Sequence, residues 1–243
     1  MIPEQDTTEL LLRRYLISQT LPGRLLLRVH VFHQRLRAAW IATSADYTKR
    51  AFDIMVSAIA LALLSPLFLV IAILVKLEDR GPIFFAQTRV GQFGCEFKMF
   101  KIRSMCLDAE QRLKDLLEKN SHREGVTFKI KDDPRITRVG KWLRKFSLDE
   151  LPQFYNVLIG DMSLVGPRPP VPREVAKYSM AHRRRLAIKP GITCLWQISG
   201  RSEIDFTGQV QLDVNYIENQ SFWTDLKILG LTVPAVISGK GAC

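Results

Sequence analysis

Two adjacent carboxylates, Asp149 and Glu150, follow a basic pair in the segment R-K-F-S-L-D-E-L-P-Q, residues 144–153. Ser147 and Glu150 have the spacing of a helix capping box, which by itself would give the acidic residues a structural role. In the alternative interpretation, Asp149 stands at a helix N-terminus near Arg144, and both keep its carboxylate ionised. An ionised aspartate at an anion-binding position predicts a nucleophile toward phosphorus or a ligand for Mg²⁺.

Two later segments carry cations suited to phosphate. The segment G-D-M-S-L-V-G-P-R-P, residues 160–169, holds Arg168 between two prolines, so a preset guanidinium could contact phosphate in bidentate fashion. The segment K-P-G-I-T-C-L-W-Q-I-S-G-R, residues 189–201, could be a turn that leads to an ordinary strand. It also offers phosphate-binding cations and an indole for stacking: Lys189, Arg201 and Trp196.

Composition excludes several classes of protein. With 243 residues, 47% of them hydrophobic and 24% charged, the chain is neither disordered nor collagen-like. The four cysteines form no C-x-x-C and the four histidines no H-E-x-x-H, which argues against structural zinc and a zinc hydrolase. The pair Asp132-Asp133, followed by proline, indicates a loop rather than a metal-binding D-x-D. A net charge of +11 predicts an anionic partner: nucleic acid, a phosphate-bearing substrate or an acidic membrane.

An uncharged apolar segment, residues 54–75, selects among these partners. At about 1.5 Å per residue, a helix of this length could cross a bilayer core of roughly 30 Å. Pro66 at its middle removes a helical hydrogen bond and predicts a kink, and Ser65 can satisfy a freed carbonyl. Because basic residues flank both ends, and positive flanks mark the cytoplasmic side, we expect a re-entrant helix-break-helix. A kinked spanning helix and a buried core helix are the alternatives.

Residues 1–48 form an N-terminal extension with a separate pattern of apolar and basic residues. Over residues 24–40, apolar positions recur on one helical face and arginines lie on another. This pattern predicts a basic amphipathic helix that lies on a membrane surface, or one that packs on the main domain or another subunit. The apolar positions are Leu25, Val29, Phe32, Leu36 and Trp40.

Residues 77–243 have the pattern of a small α/β domain that positions the charged segments. Short strands are predicted at residues 83–87 and 97–102, with a turn at Gly91 and Gly94 between them. Helices are predicted at residues 107–118, 139–146, 151–158 and 222–237, with Pro234 kinking or ending the last. Residues 160–172 should be irregular, and Pro190-Gly191 interrupts residues 186–197.

In this order, the segments resemble the bacterial sugar transferase family, the monotopic polyprenyl-phosphate hexose-1-phosphate transferases. The resemblance covers residues 49–243. Besides the three charged segments and the apolar segment broken at Ser65-Pro66, it rests on four motifs: K-R-x-F-D (49–53), G-P-I-F-F-A-Q-x-R (81–89), F-K-M-F-K-I-R-S-M (97–105) and D-P-R-I-T-R-V-G (133–140). Cys194 departs from the family, which usually has glycine there.

The resemblance implies a mostly helical α/β, monotopic membrane protein at the bacterial inner membrane, whose catalytic part, residues 77–243, faces the cytoplasm. Such proteins transfer a sugar-1-phosphate from a UDP-sugar to undecaprenyl (polyprenyl) phosphate and release UMP. This is the first membrane step of exopolysaccharide, capsule, O-antigen or glycoconjugate synthesis. The implied partners are the UDP-sugar, undecaprenyl phosphate and the membrane, with a possible homo-oligomer and no nucleic acid.

By position in the motifs, Asp149 resembles the nucleophile, and Glu150 its partner in holding Mg²⁺ or managing a proton. The implied phosphate ligands are Arg144 and Arg168, with Lys189 and Arg201. The main alternative is a non-enzymatic, basic membrane-associated scaffold that binds acidic lipid or nucleic acid, with the carboxylates acting only as caps. Its affinity would fall steeply with salt and would need neither Mg²⁺ nor a nucleotide sugar.

Overall fold

A computed structural model describes residues 21–109, 111–112, 133–200 and 204–238, and the chain divides into two units, Met1–Arg50 and Ala51–Cys243. Helix α1, Leu21–Asp79, supplies all of the described backbone of the first unit. Residues 24–40 are therefore helical, as predicted. Two of their apolar side chains are described, and both are exposed: Val29 and Phe32. Whether this helix binds a membrane surface stays a prediction.

Helix α1 continues without interruption through Pro66, so the predicted helix break is not seen as a gap in the helix. The Ser65 hydroxyl donates a hydrogen bond of 2.8 Å to the carbonyl of Ala62. That carbonyl lies four residues before Pro66, which has no N–H to offer it. Ser65 thus satisfies the freed carbonyl, as expected. Within Asp46–Asp79, a window of 18 residues has a mean hydropathy of 2.9, so this stretch is long and apolar enough to cross a membrane.

A β-hairpin opens the second unit after α1. Strands β1, Phe84–Val90, and β2, Glu96–Ile102, pair antiparallel along their whole length. The connection runs through a short 3₁₀ turn, Gln92–Gly94, in which Phe93 (φ 56°) and Gly94 (φ 85°) take left-handed backbone. The predicted hairpin is confirmed, with β1 three residues longer at its C-terminal end than the pattern indicated.

Seven further helices are described in the second unit. They are α2 (Arg138–Lys145), α3 (Gln153–Ile159), α4 (Pro172–Val175), α5 (Met180–Arg183), α6 (Leu195–Ser199), α7 (Phe206–Glu218) and α8 (Phe222–Ser238). The predictions of α2, α3 and α8 are confirmed, although α8 continues past Pro234. Helix α7 was not predicted, and most of the helix predicted at residues 107–118 lies outside the described residues.

A second, two-stranded sheet corrects the expectation that residues 160–172 are irregular throughout. Strand β3, Ser163–Val165, pairs in parallel with β4, Gly191–Thr193. Gly166 and Gly191 allow this pairing, because a Cβ on Gly191 would overlap the backbone nitrogen of Gly166. The two phosphate-binding segments expected from the sequence are therefore joined backbone to backbone.

Two apolar clusters hold these elements together. The larger buries Met99, Val157, Met162, Leu164, Val165, Tyr216 and Ile228. The smaller packs Ile71 and Val75 of α1 against Ile102 of β2 and Leu143 of α2. Burial of such side chains contributes roughly 1.5–3 kcal/mol each. The smaller cluster fixes the C-terminal ends of α1 and β2 beside α2. The last residues of α2 begin the segment 144–153, which carries Asp149 and Glu150.

Candidate active site

The turn that carries the two carboxylates is not the helix start predicted by the capping-box interpretation. Leu148–Glu150 forms a single 3₁₀ turn, and Ser147 before it has left-handed backbone (φ 53°) with no side-chain cap hydrogen bond. Helix α3 begins only at Gln153, after Pro152. Proline lacks the N–H that an earlier start would need beyond the first turn. The predictions of a capping box and of carboxylates at a helix N-terminus are therefore wrong.

Glu150 is held by two cations from distant segments. Its Oε1 accepts a hydrogen bond of 2.8 Å from Nζ of Lys101 in β2 and one of 3.2 Å from Nη2 of Arg168. Burial by itself would raise the pKa of Glu150, but Lys101 and Arg168 outweigh it and hold that pKa well below its ordinary value. Glu150 is therefore a fixed anion that ties the acidic turn to the hairpin and to the Arg168 loop.

Asp149 differs from Glu150 in both its hydrogen bonding and the direction of its pKa shift. It is only 7% exposed, and its carboxylate accepts no hydrogen bond from any residue that the structure describes. Burial raises its pKa and neighbouring Glu150 adds to the rise, while Lys101 and then Arg144 oppose it. No α-helix begins at Asp149, so the expected helix end is not there, and the pKa of Asp149 is raised although Arg144 acts in the expected direction. The Asp149 carboxylate accepts no hydrogen bond from the described residues, so its oxygens could bind other groups.

The structure brings two of the four predicted phosphate ligands to the carboxylates. Arg168 contacts Glu150 directly, and Arg144 in α2 interacts electrostatically with Asp149 while its Nε donates to the Ser104 hydroxyl at 2.9 Å. Helix α2 can lie this close to Ser104 because residue 140 is glycine, where any Cβ would overlap the Ser104 carbonyl.

The other predicted ligands have different outcomes. The Lys189 side chain forms no hydrogen bond or ion pair with the carboxylates in the described part of the chain. Arg201 lies outside the described residues. Trp196, offered as a stacking platform, is buried at 9% exposure, so that interpretation is wrong. Asp133, in the segment predicted to be a loop, lies just before a turn and forms an ion pair with Arg135.

Sequence reasoning assigned no site role to Lys101 or Arg89, although both lie in motifs that carry the family resemblance. Lys101 stands in F-K-M-F-K-I-R-S-M, but no local pattern shows that it reaches a glutamate far along the chain. Arg89 shares a face of β1 with Gln87, as residues two apart in a strand do. It lies close enough to Arg168 for the two positive charges to interact.

The donor set at the acidic turn fits a magnesium ion. Among the described residues, no group of three or more His, Cys, Asp and Glu side chains forms a complete protein cage. Mg²⁺ usually binds through one or two carboxylates together with substrate phosphates and waters. Asp149 and the second oxygen of Glu150 have no hydrogen-bond donor among the described residues and could serve as such ligands.

The described part of the chain thus places a buried aspartate without a hydrogen-bond donor close to Lys101, Arg144 and Arg168. A family model described as bacterial sugar transferase matches residues 44–239. The chain belongs to this family.

Curated relatives agree with this membership. The chain is 57% identical over 166 residues to galactosyl transferase CpsE of Streptococcus agalactiae, covering 68% of this chain and 37% of CpsE. It is 43% identical over 198 residues to the exopolysaccharide production protein ExoY of Sinorhizobium fredii, covering 80% and 88%. It is 43% identical over 202 residues to undecaprenyl-phosphate galactose phosphotransferase of Salmonella typhimurium, covering 82% and 42%.

Proposed function

We propose that this sugar transferase moves a sugar-1-phosphate from a UDP-sugar to undecaprenyl phosphate and releases UMP. This reaction would begin exopolysaccharide or glycoconjugate synthesis at the cytoplasmic face of the bacterial inner membrane. Relatives named as undecaprenyl-phosphate galactose and glucose phosphotransferases support this direction. The observation that carries the proposal is the unbonded Asp149 carboxylate beside Glu150, Lys101, Arg144 and Arg168.

In the first step, an Asp149 oxygen attacks the phosphorus next to the sugar. The bond from that phosphorus to the bridging oxygen breaks, UMP leaves with the electron pair, and an aspartyl phosphosugar forms. Burial favours this attack because a poorly solvated carboxylate has fewer hydrogen bonds to give up. Arg144 and Arg168 would bind the phosphate oxygens on which negative charge develops.

In the second step, a phosphate oxygen of the lipid attacks the same phosphorus. The bond to Asp149 breaks, so the carboxylate is restored and the product is a polyprenyl diphosphate sugar. Asp149 and Glu150 would hold Mg²⁺, which when bound supplies positive charge beside the phosphates. Glu150, already anchored by Lys101 and Arg168, keeps the acidic turn in place through both steps.

The decisive experiment is a UMP-release screen over a panel of UDP-sugars, with and without undecaprenyl phosphate. Wild-type protein incubated with a labelled UDP-sugar and Mg²⁺ but no lipid phosphate should then carry a phosphosugar on Asp149, located by mass spectrometry. Arg184→Gln is a matched control, because Arg184 forms an exposed ion pair with Glu218 away from the carboxylates. Absence of UMP release with every donor would contradict the proposed function and favour the non-enzymatic scaffold.

We also propose that residues 54–75 form a re-entrant membrane segment, with Ser65 and Pro66 at its turning point. The apolar stretch Asp46–Asp79, the basic flanks and the repaired Ala62 carbonyl support this arrangement. In a cysteine-free background, single cysteines near residues 45 and 120 should both be protected from a reagent confined to the periplasm. Labelling of either position from the periplasm would mean that the helix spans the membrane. Pro66→Leu should shift the protein toward that spanning form.

A further inference from the structure

Two segments without a role in the proposed reaction meet beside the helix that carries Arg144. Residues 103–105 and 133–140 belong to two of the motifs on which the family resemblance rests. Met105 and Ile136 form an isolated antiparallel bridge, so the two segments are joined backbone to backbone. The second segment runs directly into α2, which ends with Arg144 and Lys145.

Ser104 lies at this junction and is held on both sides. It is buried, and its carbonyl accepts a hydrogen bond of 3.1 Å from the backbone N–H of Thr137, the N-cap of α2. The preceding residue, Arg103, forms an ion pair with Asp79 at the end of α1 and donates through Nε to the Pro82 carbonyl at 2.6 Å. The Ser104 backbone is therefore fixed between the end of α1 and the start of α2.

The Ser104 hydroxyl contacts the Arg144 guanidinium at one edge. Its oxygen accepts a hydrogen bond of 2.9 Å from Nε of Arg144. The terminal nitrogens Nη1 and Nη2 of Arg144 make no hydrogen bond with the residues that the structure describes. Two parallel N–H groups of a guanidinium are the arrangement that binds a phosphate in bidentate fashion. Ser104 thus holds one edge of the guanidinium and leaves its terminal nitrogens available.

Three carboxylates act on the charge of Arg144, and they differ in what they already bind. Burial, together with Arg135, lowers the pKa of Arg144, while Asp149, then Asp133 and Glu150, act in the opposite direction. Asp133 and Glu150 accept hydrogen bonds from other cations. Asp149 accepts none in the described part of the chain, so its oxygens remain available, as the terminal nitrogens of Arg144 do.

We propose that Ser104 is a positioning residue, which holds Nε of Arg144 and so directs the terminal nitrogens to the phosphate that Asp149 attacks. This assignment rests on the proposed function, in which Arg144 binds phosphate oxygens as negative charge develops. Residues 103–105 and 133–140 then act together, because they fix Ser104 and lead into the helix of Arg144. An interaction that strengthens in the transition state raises kcat, so Ser104 should affect kcat more than KM.

The first test measures kcat and KM for UMP release with the UDP-sugar that the wild-type protein turns over fastest. Ser104→Ala removes the hydroxyl but keeps the backbone bond to Thr137. We expect kcat to fall about 10- to 100-fold and KM to stay within about three-fold. Ser163→Ala is the matched control, since Ser163 is also buried and its hydroxyl has no partner among the described residues. It should keep kcat within about two-fold of wild type.

A double-mutant cycle with Arg144→Ala separates positioning from a general structural role. Ser104 is proposed to act only through Arg144, so adding Ser104→Ala to Arg144→Ala should lower kcat by less than about two-fold. A structural role would lower kcat by the same factor in both backgrounds. If Ser104→Ala does not fold, Ser104→Cys has nearly the same shape and only a weak acceptor, so its kcat should also fall.

The Arg144 Nε–H signal in side-chain NMR spectra gives a readout that needs no turnover. Arg144→Ala identifies the signal by removing it. In Ser104→Ala this hydrogen should exchange with water faster than in wild type, because it has lost its acceptor. Ser163→Ala should leave the exchange rate unchanged.

The possible outcomes are distinct. A loss of kcat that requires Arg144, with faster exchange of its Nε–H, supports the positioning role. A kcat equal to wild type in folded Ser104→Ala or Ser104→Cys overturns it, as does an equal loss in both backgrounds or the failure of both variants to fold. A wild-type protein that releases UMP from no UDP-sugar overturns the proposed function itself, and with it any role of Ser104 in that reaction.

Discussion

Asp133 and Asp149 have the same exposed fraction, 7% each, yet more of the protein surrounds Asp149 and the two differ in their hydrogen bonds. The Asp133 carboxylate accepts hydrogen bonds from Nε of Arg135 at 2.9 Å, from Nη2 at 2.5 Å and from the Arg135 backbone at 3.0 Å. These bonds lower the pKa of Asp133, despite its burial. Asp149 accepts none from the described residues, and burial raises its pKa.

The comparison teaches that burial alone does not mark a functional carboxylate. A buried carboxylate with a structural role accepts hydrogen bonds from neighbouring residues, because burying an unpaired charge costs free energy. Asp149 has no hydrogen-bond partner in the described part of the chain, although three cations, Lys101, Arg144 and Arg168, influence it. The Asp149 oxygens are therefore free to bind a substrate phosphorus or a metal ion. Substitution of Asp149 should reduce activity, whereas substitution of Asp133 should reduce stability.

The largest effect should follow Asp149→Asn. An amide neither attacks phosphorus usefully nor carries the phosphosugar, so transfer should fall by at least about 10⁴-fold. The folded protein should be no less stable near neutral pH, because no hydrogen bond from the described residues is lost and a buried charge is removed. Kinetics of UMP release and a melting curve on the same preparation check both statements. Full turnover by a folded Asp149→Asn protein would remove Asp149 from the mechanism.

Glu150→Gln should reduce transfer by about 10²- to 10³-fold, since it removes an ion that binds Lys101 and Arg168. A capping role would predict a nearly silent change, because glutamine serves at that position as well as glutamate. The measurement is kcat and KM for the UDP-sugar. Activity equal to wild type would mean that the ion pairs around Glu150 do not matter for the reaction.

Asp133→Asn should act on stability instead. Loss of its charge-assisted hydrogen bonds to Arg135 should lower the free energy of unfolding by about 2–3 kcal/mol. The activity per folded molecule should stay within a few-fold of wild type. Denaturant unfolding together with UMP release from the folded fraction gives both numbers. A variant as stable as wild type would show that the bonds seen at Asp133 do not support the fold.

The smallest effect is an opposite dependence on pH. The pKa of Asp133 is lowered in the folded protein, so its stabilisation should be complete above the ordinary aspartate pKa of about 3.9 and be lost as the pH falls further. The pKa of Asp149 is raised, so its contribution to stability should fall as the pH rises from about 4. Unfolding of wild type, Asp133→Asn and Asp149→Asn at pH 3–7 compares them. Parallel curves for the two variants would contradict the assigned directions.

Local patterns predicted the parts of the fold that depend on local physics. The β1–β2 hairpin was predicted as two short strands around a glycine turn, α2 as a basic helix and α8 as an apolar helix. Strands β3 and β4 are three residues each and exist because Gly166 and Gly191 approach from distant parts of the chain. No local pattern carries that information.

The site was predictable only in part for the same reason. Asp149, Glu150 and Arg168 were predicted from the chemistry of their motifs. Lys101 also lies in a quoted motif, but its place at the site follows from a contact across the fold that spacing does not show. The capping-box prediction failed because Pro152 delays the helix and Ser147 adopts left-handed backbone. Spacing showed which residues could cap, but not which backbone conformation they would adopt.

The close contact of Gly166 and Gly191 limits how this part of the chain can vary. A Cβ on Gly191 would overlap the backbone nitrogen of Gly166, and one on Gly166 would overlap the Lys189 carbonyl. Adding even a methyl group at either position would force the two loops apart. A substitution there should therefore displace Arg168, which follows closely in the same loop, from Glu150.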